Sequence, residues 1–287
     1  MKHFYIITNE HKDCGHKITN QIRQYLEVRQ VKCSIQAAER ERKSGYTDAG
    51  CIPEDVDCIL VLGGDGTLLQ AARDTIERDI PLLGINLGTL GYLAEVEVAG
   101  MEEALHQLLK GNYEVEQRMM LTGRIIRADQ EEQKGMEQSL ALNDIVITRS
   151  GSLQIIRFQI WVNGQFLREY HADGVILSTP TGSTGYNLSA GGPIVEPKAE
   201  LMLVTPVCPH TMNSRSVILA PEDKVEIRIG AGREGSIQQV EVDFDGSCKL
   251  SLYTGDRVEI QRAVMTAKIV KINKVSFLEL LHKKMSD

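Results

Sequence analysis

Apolar runs of strand length alternate with amphipathic segments along the first third of the chain. Residues 4–8 and 31–35 have the pattern of short strands, and between them Ile18, Ile22 and Leu26 form one stripe of a helix. The alternation continues with buried-strand patterns at residues 57–62 and 81–86, and with helical patterns at residues 68–73 and 101–110. A β-α-β order of this kind predicts a parallel sheet with right-handed crossovers.

Strand patterns with few intervening helices take over from residue 113. The dipeptide Asn163-Gly164 follows one of them, at residues 155–162, and indicates a hairpin turn. The end of the chain combines a strand at residues 268–272 with a short helix at residues 277–281, which we expect to pack back on the first domain. The remaining strand patterns are residues 123–127, 141–147, 174–177, 201–205, 224–229, 239–244, 249–253 and 257–261.

These patterns predict the fold class α/β plus β-rich. The N-terminal domain is expected to be a Rossmann-like parallel-sheet domain, and the second an all-β, β-sandwich-like domain. We place the first domain at residues 1–112, completed by the tail 264–287, and the second at residues 113–263. A chain of 287 residues is long enough for two such domains. Residues 36–52 are charged and lack periodicity, so we expect a connecting loop there.

Charge and cysteine usage narrow the possible partners. A formal net charge of -7 argues against a general nucleic-acid or anionic-membrane surface. No apolar run approaches the roughly 18 residues of a spanning helix, and the N-terminus turns polar too soon for a signal peptide. The six cysteines show no C-x-x-C pair and no metal-ligand spacing, which is typical of reduced, mostly buried thiols. We predict a cytoplasmic protein with no nucleic-acid and no membrane partner.

The candidate chemistry begins at Gly63-Gly64-Asp65-Gly66-Thr67, between a buried strand and a helix. Glycines let the backbone approach a ligand closely, and N–H groups at a helix N-terminus attract phosphate. The Asp65 carboxylate repels phosphate, so its presence indicates a metal ion, a hydroxyl that needs orientation, or both. The alternative is that Asp65 only caps the helix.

A second glycine-bearing turn, residues 87–93, follows the next strand. Ligands of open α/β sheets bind beyond the carboxyl ends of the strands, so Asn86 and Thr89 are candidates to face a phosphate. The alternative is a plain turn, because Asn and Gly are common turn residues.

Residues 173–193 carry the richest set of polar groups in the second domain. Hydroxyl side chains among glycines after a buried strand offer donors and acceptors that suit ribose, pyrophosphate and base edges. An ordinary Ser/Thr-rich loop that caps a helix is the alternative.

Several of these segments resemble one family. The residues 63–67 are similar to the signature of a superfamily that includes NAD kinases, diacylglycerol-type lipid kinases and, more distantly, phosphofructokinases. Residues 179–186, with Gly191-Gly192-Pro193 behind them, resemble the NAD-binding segment of bacterial NAD kinases. Asn143-Asp144 stands where that family has Asn-Glu, residues 209–216 resemble its next block, and Asp245-Gly246 matches its late Asp-Gly. Two departures are Asp144, one methylene shorter than the family's Glu, and Gly185, where many members have Ala.

The resemblance implies transfer of the γ-phosphoryl group of ATP, or of inorganic polyphosphate, to the 2′-hydroxyl of the adenosine ribose of NAD. Asp65 would orient this hydroxyl and accept its proton, and backbone donors at Gly63, Gly64, Gly66 and Thr67 would hold the phosphates. A divalent ion, Mg, would bridge the phosphates without assigned protein ligands, and no Walker A lysine is present. The implied NAD-binding residues are Asp65, Gly66, Asn143, Asp144, Asp173, Thr181, Thr184, Gly185, Tyr186, Ser189, His210 and Asp245.

The resemblance also implies a homo-oligomer, a dimer or a tetramer, with the site near a subunit interface, since Asp173 matches a residue that reaches a neighbouring subunit's ligand. Two rival functions remain at this point. A lipid or polyol kinase would share residues 63–67 but predicts an apolar acceptor pocket, whereas residues 179–189 are polar. A non-catalytic NAD-sensing module predicts loss of the aspartate, and Asp65 is present.

Overall fold

The computed structural model describes residues 1–37, 47–88, 91–129, 137–151, 155–211, 214–272 and 275–286. The chain divides into two compact units. Unit 1 comprises Met1–Arg118 and Thr266–Asp287, and unit 2 comprises Met119–Met265.

Unit 1 is built on a parallel sheet. The strands are β1 (His3–Thr8), β2 (Lys32–Ile35), β3 (Cys58–Gly63), β4 (Leu82–Asn86) and β5 (Val96–Glu97), and the helices are α1 (Lys17–Glu27), α2 (Asp65–Asp74) and α3 (Met101–Lys110). The sheet order is β2-β1-β3-β4, β5 also pairs with β4, and Ile269 on a late strand pairs in parallel with Leu82.

The core of unit 1 follows directly from its apolar pattern. Every residue of β1, β3 and β4 is buried, which explains why these strands read as continuous apolar runs rather than as alternating ones. Helix α1 buries Ile22 and Leu26 completely, and α3 buries Met101, Ala104, Leu105 and Leu108 along one stripe. Gly111 ends α3 with a φ of 78°, a conformation that glycine adopts without strain.

Unit 2 consists of two antiparallel sheets. One has the order β13-β12-β11-β8-β15-β16, and the other pairs β10, β9, β14 and the first part of β17. A short helix, α4 (Tyr186–Ser189), follows β11. The strands that lie in this unit, or cross its boundary in the case of the first and the last, are β6 (Glu114–Ile126), β7 (Gln138–Ala141), β8 (Asp144–Arg149), β9 (Ile156–Val162), β10 (Gln165–Ala172), β11 (Gly174–Ser178), β12 (Met202–Val207), β13 (Val217–Leu219), β14 (Val225–Ile229), β15 (Gln239–Phe244), β16 (Cys248–Tyr253) and β17 (Arg257–Lys271).

A single apolar core joins the inner faces of these two sheets. Phe158 of β9, Ile227 of β14, Leu177 of β11 and Phe244 of β15 are all fully buried in it. Buried and more accessible positions alternate along β15, as expected for a strand with one face in the core. The arrangement is therefore a β-sandwich.

The predicted fold class, α/β plus β-rich, is confirmed. The hairpin at Asn163-Gly164 is also confirmed, since both residues have positive φ between β9 and β10. The two strands predicted at residues 257–261 and 268–272 are wrong as separate elements, because β17 runs through both. The predicted final helix is present as α5 (Phe277–Met285), which begins with a capping box at Ser276.

Two smaller expectations need comment. The thiols are not mostly buried: Cys58 is buried, whereas Cys14, Cys51 and Cys208 are exposed, although all six cysteines are free. The loop predicted at residues 36–52 lies partly outside the described residues, and its described part contains a short 3-10 turn at Ala49–Cys51. No helix among the described residues has the length and apolar character needed to cross a bilayer.

Candidate active site

The glycine turn of unit 1 joins β3 to α2 as predicted. Gly63 must lack a side chain, because a Cβ there would lie 2.3 Å from Thr67 Oγ1. Gly64 caps α2, and its carbonyl accepts hydrogen bonds from the N–H groups of Thr67 (3.0 Å) and Leu68 (3.1 Å). The N–H groups of Asp65 and Gly66 precede these in the first turn, where an α-helix offers no intrahelical acceptor. The turn can thus bind an anion, while the Thr67 N–H, predicted to be a phosphate donor, is engaged inside the helix.

The Asp65 carboxylate is held by three backbone donors from the loop after β4. Oδ2 accepts from Tyr92 N (2.7 Å), and Oδ1 accepts from Leu93 N (3.2 Å) and Ala94 N (3.1 Å). A Cβ on Gly91 would lie 1.9 Å from Asp65 Oδ1, so only glycine fits beside the carboxylate. Asp65 is therefore fixed in one orientation from a neighbouring strand end, which is more than a helix cap requires.

Asn86, at the end of β4, shapes the second turn. Its side chain is buried, and Oδ1 accepts from Gly88 N at 2.9 Å. The Leu87 N–H donates to Gly63 O at 2.8 Å, which ties this turn to the glycine turn. Asn86 Nδ2 is buried without a hydrogen-bond partner among the described residues. Asn86 thus forms the turn, and its Nδ2 group is left to donate to a ligand. Thr89, the other residue predicted to face a phosphate here, lies outside the described residues.

A lysine that the sequence analysis missed lies over both turns. Lys12 Nζ lies 3.1 Å from the position a Cβ would take on Gly64, and 3.6 Å from that position on Gly88. No local pattern marked Lys12, because it reaches the turns from the loop after β1. An ammonium group therefore lies beside the anion-binding turn even though the chain has no Walker A lysine.

In unit 2, Asp245 organises the turn that carries the predicted Asn-Asp pair. Its Oδ1 accepts from Asn143 N (2.8 Å) and Asp144 N (3.1 Å), and its Oδ2 accepts from Leu142 N (2.7 Å). Asp245 itself has a φ of 53°, a strained conformation for a residue with a side chain. The carboxylate predicted to bind NAD thus holds the backbone of Asn143 and Asp144 in place.

The predicted pair meets the hydroxyl-rich segment at Gly185. A Cβ on Gly185 would lie 3.6 Å from Asn143 Nδ2 and 3.9 Å from Asp144 Oδ2. Asn143 Oδ1 is buried and has no hydrogen-bond partner within the described ranges of the chain. An unpaired buried acceptor is costly unless a ligand donor reaches it.

Asp144 is a buried carboxyl group with unusual titration. Burial, together with the neighbouring carboxylates of Asp245 and Asp243, raises the pKa of Asp144 to about 7. Asp144 is only 6% exposed, so solvent screens these effects weakly. The side chain can therefore donate or accept a hydrogen bond near neutral pH.

This pKa predicts a specific pH dependence of stability. Above about pH 4 an unfolded aspartate has lost its proton while native Asp144 keeps it, so native stability falls as the pH rises towards 7. Asp144→Asn has no carboxyl group to titrate at this position, so its stability should not fall in this way. We expect its free energy of unfolding, relative to wild type, to be higher at about pH 8 than at about pH 5, by on the order of 1–3 kcal/mol. Urea unfolding at both pH values measures this, with the exposed Glu222→Gln as the control; equal differences at the two pH values would contradict it.

The segment after β11 is anchored by its buried side chains. Thr179 Oγ1 donates to Leu142 O (2.6 Å) and accepts from Gly182 N (3.1 Å). Asn187 Nδ2 donates to Ser183 O and Pro193 O, each at 3.1 Å, and its Oδ1 accepts from Thr205 Oγ1 at 2.7 Å. These bonds fix a single turn of 3-10 helix at Thr181–Thr184 and the short α4.

The predicted ligand residues of this segment differ in access. Thr181 is buried, Thr184 and Gly185 are half-buried, and Tyr186 and Ser189 are exposed. Tyr186 is 47% exposed, so it is not a core tyrosine. The segment thus combines an anchored backbone with accessible hydroxyl groups, which is the arrangement that a polar ligand needs.

Asp173 and His210, the two remaining predicted NAD contacts, both belong to unit 2. Asp173 is half-buried and lies 3.6 Å from Arg149 Nε. His210 is exposed, and its N–H donates to His171 O at 2.8 Å. Among the described residues, neither side chain has a hydrogen bond or ion pair with Asn143, Asp144 or Gly185. In the part of the chain that the structure describes, no group of three or more His, Cys, Asp or Glu side chains is placed to hold a metal ion.

The fixed carboxylate and the anion-binding turn define a class, a two-domain enzyme that acts on phosphate groups. Residues 5–113 match the family model of the ATP-NAD kinase N-terminal domain, and residues 142–272 match that of the ATP-NAD kinase C-terminal domain. The chain belongs to the NAD kinase family.

Individual relatives agree with this assignment. The NAD kinase of Lachnospira eligens is 44% identical over 99% of this chain and 100% of its own. The NAD kinase of Lachnoclostridium phytofermentans is 45% identical over 100% of both chains, and that of Agathobacter rectalis is 46% identical over 100% of this chain and 99% of its own.

Solved structures show the same fold. Yeast NADH kinase, complexed with NADH, matches with a TM-score of 0.81 over 100% of this chain and 88% of its own, at 24% identity. An NAD kinase from Archaeoglobus fulgidus, in complex with ATP, matches with a TM-score of 0.75 over 99% of both chains, at 26% identity.

Proposed function

We propose that the protein transfers the γ-phosphoryl group of ATP to the 2′-hydroxyl of the adenosine ribose of NAD and so forms NADP. In this reaction the bond from the γ-phosphorus to its bridging oxygen breaks, a bond to the ribose oxygen forms, and ADP leaves. The hydroxyl proton passes to a base. The observation that carries the proposal is the Asp65 carboxylate, fixed by three N–H donors at the N-terminus of α2.

Asp65 is the proposed catalytic residue. Its Oδ1 accepts two N–H groups and its Oδ2 accepts one, so Oδ2 keeps a lone pair for the hydroxyl. Phosphoryl transfer depends mainly on positioning and charge stabilisation, and bond formation to the acceptor is late. Asp65 therefore orients the hydroxyl first and takes its proton as the new bond forms.

The phosphates of ATP are proposed to bind at the N–H groups of Gly64, Asp65 and Gly66, where the dipole of α2 favours negative charge. Mg is proposed to arrive with these phosphates and to neutralise part of their charge. The described residues offer no carboxylate cluster for an ion of their own, so no step is assigned to a protein-bound metal.

The dinucleotide is proposed to bind through polar groups of unit 2. Asn143 Oδ1 offers an unpaired buried acceptor, and the Asp144 carboxyl lies beside the same glycine, Gly185. The hydroxyls of Tyr186 and Ser189 are accessible next to this cluster. Thr181, Thr184, Asp173 and His210 are kept as proposed NAD contacts on the family pattern, and Asp245 is proposed to position Asn143 and Asp144.

A cytoplasmic location and a homo-oligomer, a dimer or a tetramer, are proposed on the same family pattern. Light scattering of the purified protein measures the oligomer directly. A monomer at micromolar concentration would contradict that part of the proposal.

The activity itself is tested with purified protein, NAD, ATP and Mg, and NADP is read through an NADP-specific dehydrogenase. We expect NADP that depends on added metal, and parallel assays with NADH and with inorganic polyphosphate define acceptor and donor. If a folded protein forms no NADP with either donor, the proposal is wrong, and a screen of lipid and polyol acceptors follows.

A further inference from the structure

We propose that Lys12 binds the β- and γ-phosphates of the phosphoryl donor, an inference that rests on the proposed function. Lys12 Nζ lies beside Gly64, at the N-terminus of α2, and beside Gly88 in the second turn. The ammonium group and the free N–H groups of the first turn would contact the same anion. Lys12, which lies outside every recognised motif, would thus bind phosphate as the Walker A lysine does in P-loop proteins.

The loop that carries Lys12 is anchored at its first residue. The Asn9 N–H donates to Leu62 O at 2.9 Å, so the loop starts as a continuation of the β1–β3 pairing. Asn9 Nδ2 lies 3.4 Å from Thr67 Oγ1, in the first turn of α2. Asn9 also receives the Lys12 N–H, at 3.0 Å on its carbonyl and 3.2 Å on Oδ1. The backbone of Lys12 is therefore tied to the residue that touches the glycine turn.

The loop is anchored again at its last residue, Asp13. This buried carboxylate accepts from Ile18 N (2.8 Å), Thr19 N (3.0 Å) and Thr19 Oγ1 (2.6 Å) at the start of α1. Burial alone would raise the pKa of Asp13, and the hydrogen bonds from Thr19 and Ile18 more than offset it, so the pKa lies below its usual value. Asp13 thus stays ionised and holds the loop without help from the Lys12 side chain.

The Lys12 ammonium has no carboxylate partner among the described residues, although the chain carries a net charge of -7. An exposed lysine ordinarily extends its ammonium group into water. Lys12 instead places Nζ over two glycines whose missing side chains leave the space open. A phosphate chain on these glycines would bring the partner that the ammonium lacks.

The Lys12 ammonium is better placed to bind the phosphoryl donor, ATP, than the phosphoryl acceptor, NAD. The acceptor hydroxyl is proposed to bind at Asp65 Oδ2, on a carboxylate that the N–H groups of Tyr92, Leu93 and Ala94 hold in place. Lys12 lies on the Gly64 side of the turn, where the positive end of α2 attracts phosphate. Removing the charge of Lys12 should therefore weaken the binding of the ATP triphosphate and leave NAD binding unchanged.

The test compares Lys12→Met, Lys12→Arg and a matched control, Lys17→Met, an exposed lysine at the start of α1. Each full-length variant is assayed for NADP formation and titrated calorimetrically with ATP and with AMP, in the absence of NAD. For Lys12→Met we expect the KM and the Kd for ATP to rise about 10- to 100-fold, with kcat reduced. The Kd for AMP and the KM for NAD should stay within about twofold, Lys12→Arg should recover most of the loss, and Lys17→Met should match wild type.

Several outcomes would overturn the inference. An unchanged ATP affinity in Lys12→Met would do so, as would equal losses for ATP and AMP, or a loss confined to NAD. A lowered melting temperature in Lys12→Met, together with no rescue by arginine, would assign Lys12 a structural role instead. The titration with ATP needs no turnover, so it judges Lys12 even if wild-type protein forms no NADP and the proposed function fails.

Discussion

Asp65→Asn is expected to lower kcat for NADP formation by at least about a hundredfold, because a positioned acid–base group contributes roughly 10²- to 10⁴-fold. The amide has one acceptor oxygen where the carboxylate has two. If this oxygen faces Tyr92 N, the amide NH2 faces the N–H groups of Leu93 and Ala94. In the flipped orientation the amide NH2 faces Tyr92 N. Either orientation sets donor against donor and disturbs the orientation of the side chain. In addition, the amide cannot receive the hydroxyl proton.

Initial-rate assays with saturating NAD and ATP measure this effect, and the control is Glu77→Gln, an exposed residue just after α2 that loses the same charge. The control should match wild type. A thermal melt of each variant separates lost chemistry from lost fold, since unsatisfied N–H groups should destabilise Asp65→Asn by about 1–3 kcal/mol. Turnover within about threefold of wild type, a change of only about 0.7 kcal/mol in the barrier, would show that Asp65 does not act on the hydroxyl.

The strand, turn and helix around Asp65 were predictable from sequence because each carries a local signal. A buried apolar run, three glycines and a helical stripe occur in one stretch of the chain, and the physical constraints on them are local. The donors to Asp65 were not predictable, since they are backbone N–H groups of Tyr92, Leu93 and Ala94 that any residue supplies. Only Gly91 leaves a trace in the sequence, and its reason appears only when the carboxylate is placed beside it.

The role of Asp245 shows the same limit in unit 2. The family pattern marked the residue, and its implied role was a ligand contact. The structure shows that both carboxylate oxygens hold the backbone of residues 142–144, about a hundred positions earlier in the chain. A pattern identifies which residue is special, whereas the partner of a long-range hydrogen bond depends on strand pairing that the pattern does not contain.

Lys12 is the opposite case, a residue that no pattern marked. Its relevance arises from three strands at once: β1 carries its loop, β3 carries Gly64 and β4 carries Gly88. Because parallel strands bring their carboxyl ends to one edge of the sheet, the three loops meet although they are far apart in sequence. A search for lysines after β1 would have been a reasonable signal, once the sheet order was known.

Gly182→Ala is expected to be the most damaging small substitution in unit 2. A Cβ on Gly182 would lie 2.2 Å from the backbone oxygen of Asn143, 2.5 Å from its carbonyl carbon and 2.7 Å from its Cα. No rotamer change relieves a clash with backbone, so the turn that carries Asn143 and Asp144 must move away from the 3-10 turn at Thr181–Thr184. Overpacking of this kind costs about 1–3 kcal/mol, and a collision with backbone belongs at the upper end of that range.

Gly185→Ala is the matched control, three residues further along the same segment. A Cβ there would meet Gly182 O at 3.3 Å and the ends of Asn143 and Asp144 at 3.6 and 3.9 Å, contacts that small shifts relieve. We expect the melting temperature of unit 2 to fall by several degrees in Gly182→Ala and by about a degree or less in Gly185→Ala.

The KM for NAD distinguishes local from global damage in these two variants. If Asn143 and Asp144 contact the dinucleotide, Gly182→Ala raises this KM at least about tenfold, even at a temperature where the protein is fully folded, while the Kd for ATP stays near the wild-type value. Equal melting temperatures for the two variants would contradict the clash. A large loss of stability with an unchanged KM for NAD would instead remove residues 143 and 144 from the proposed NAD site, because their backbone would have moved without consequence for binding.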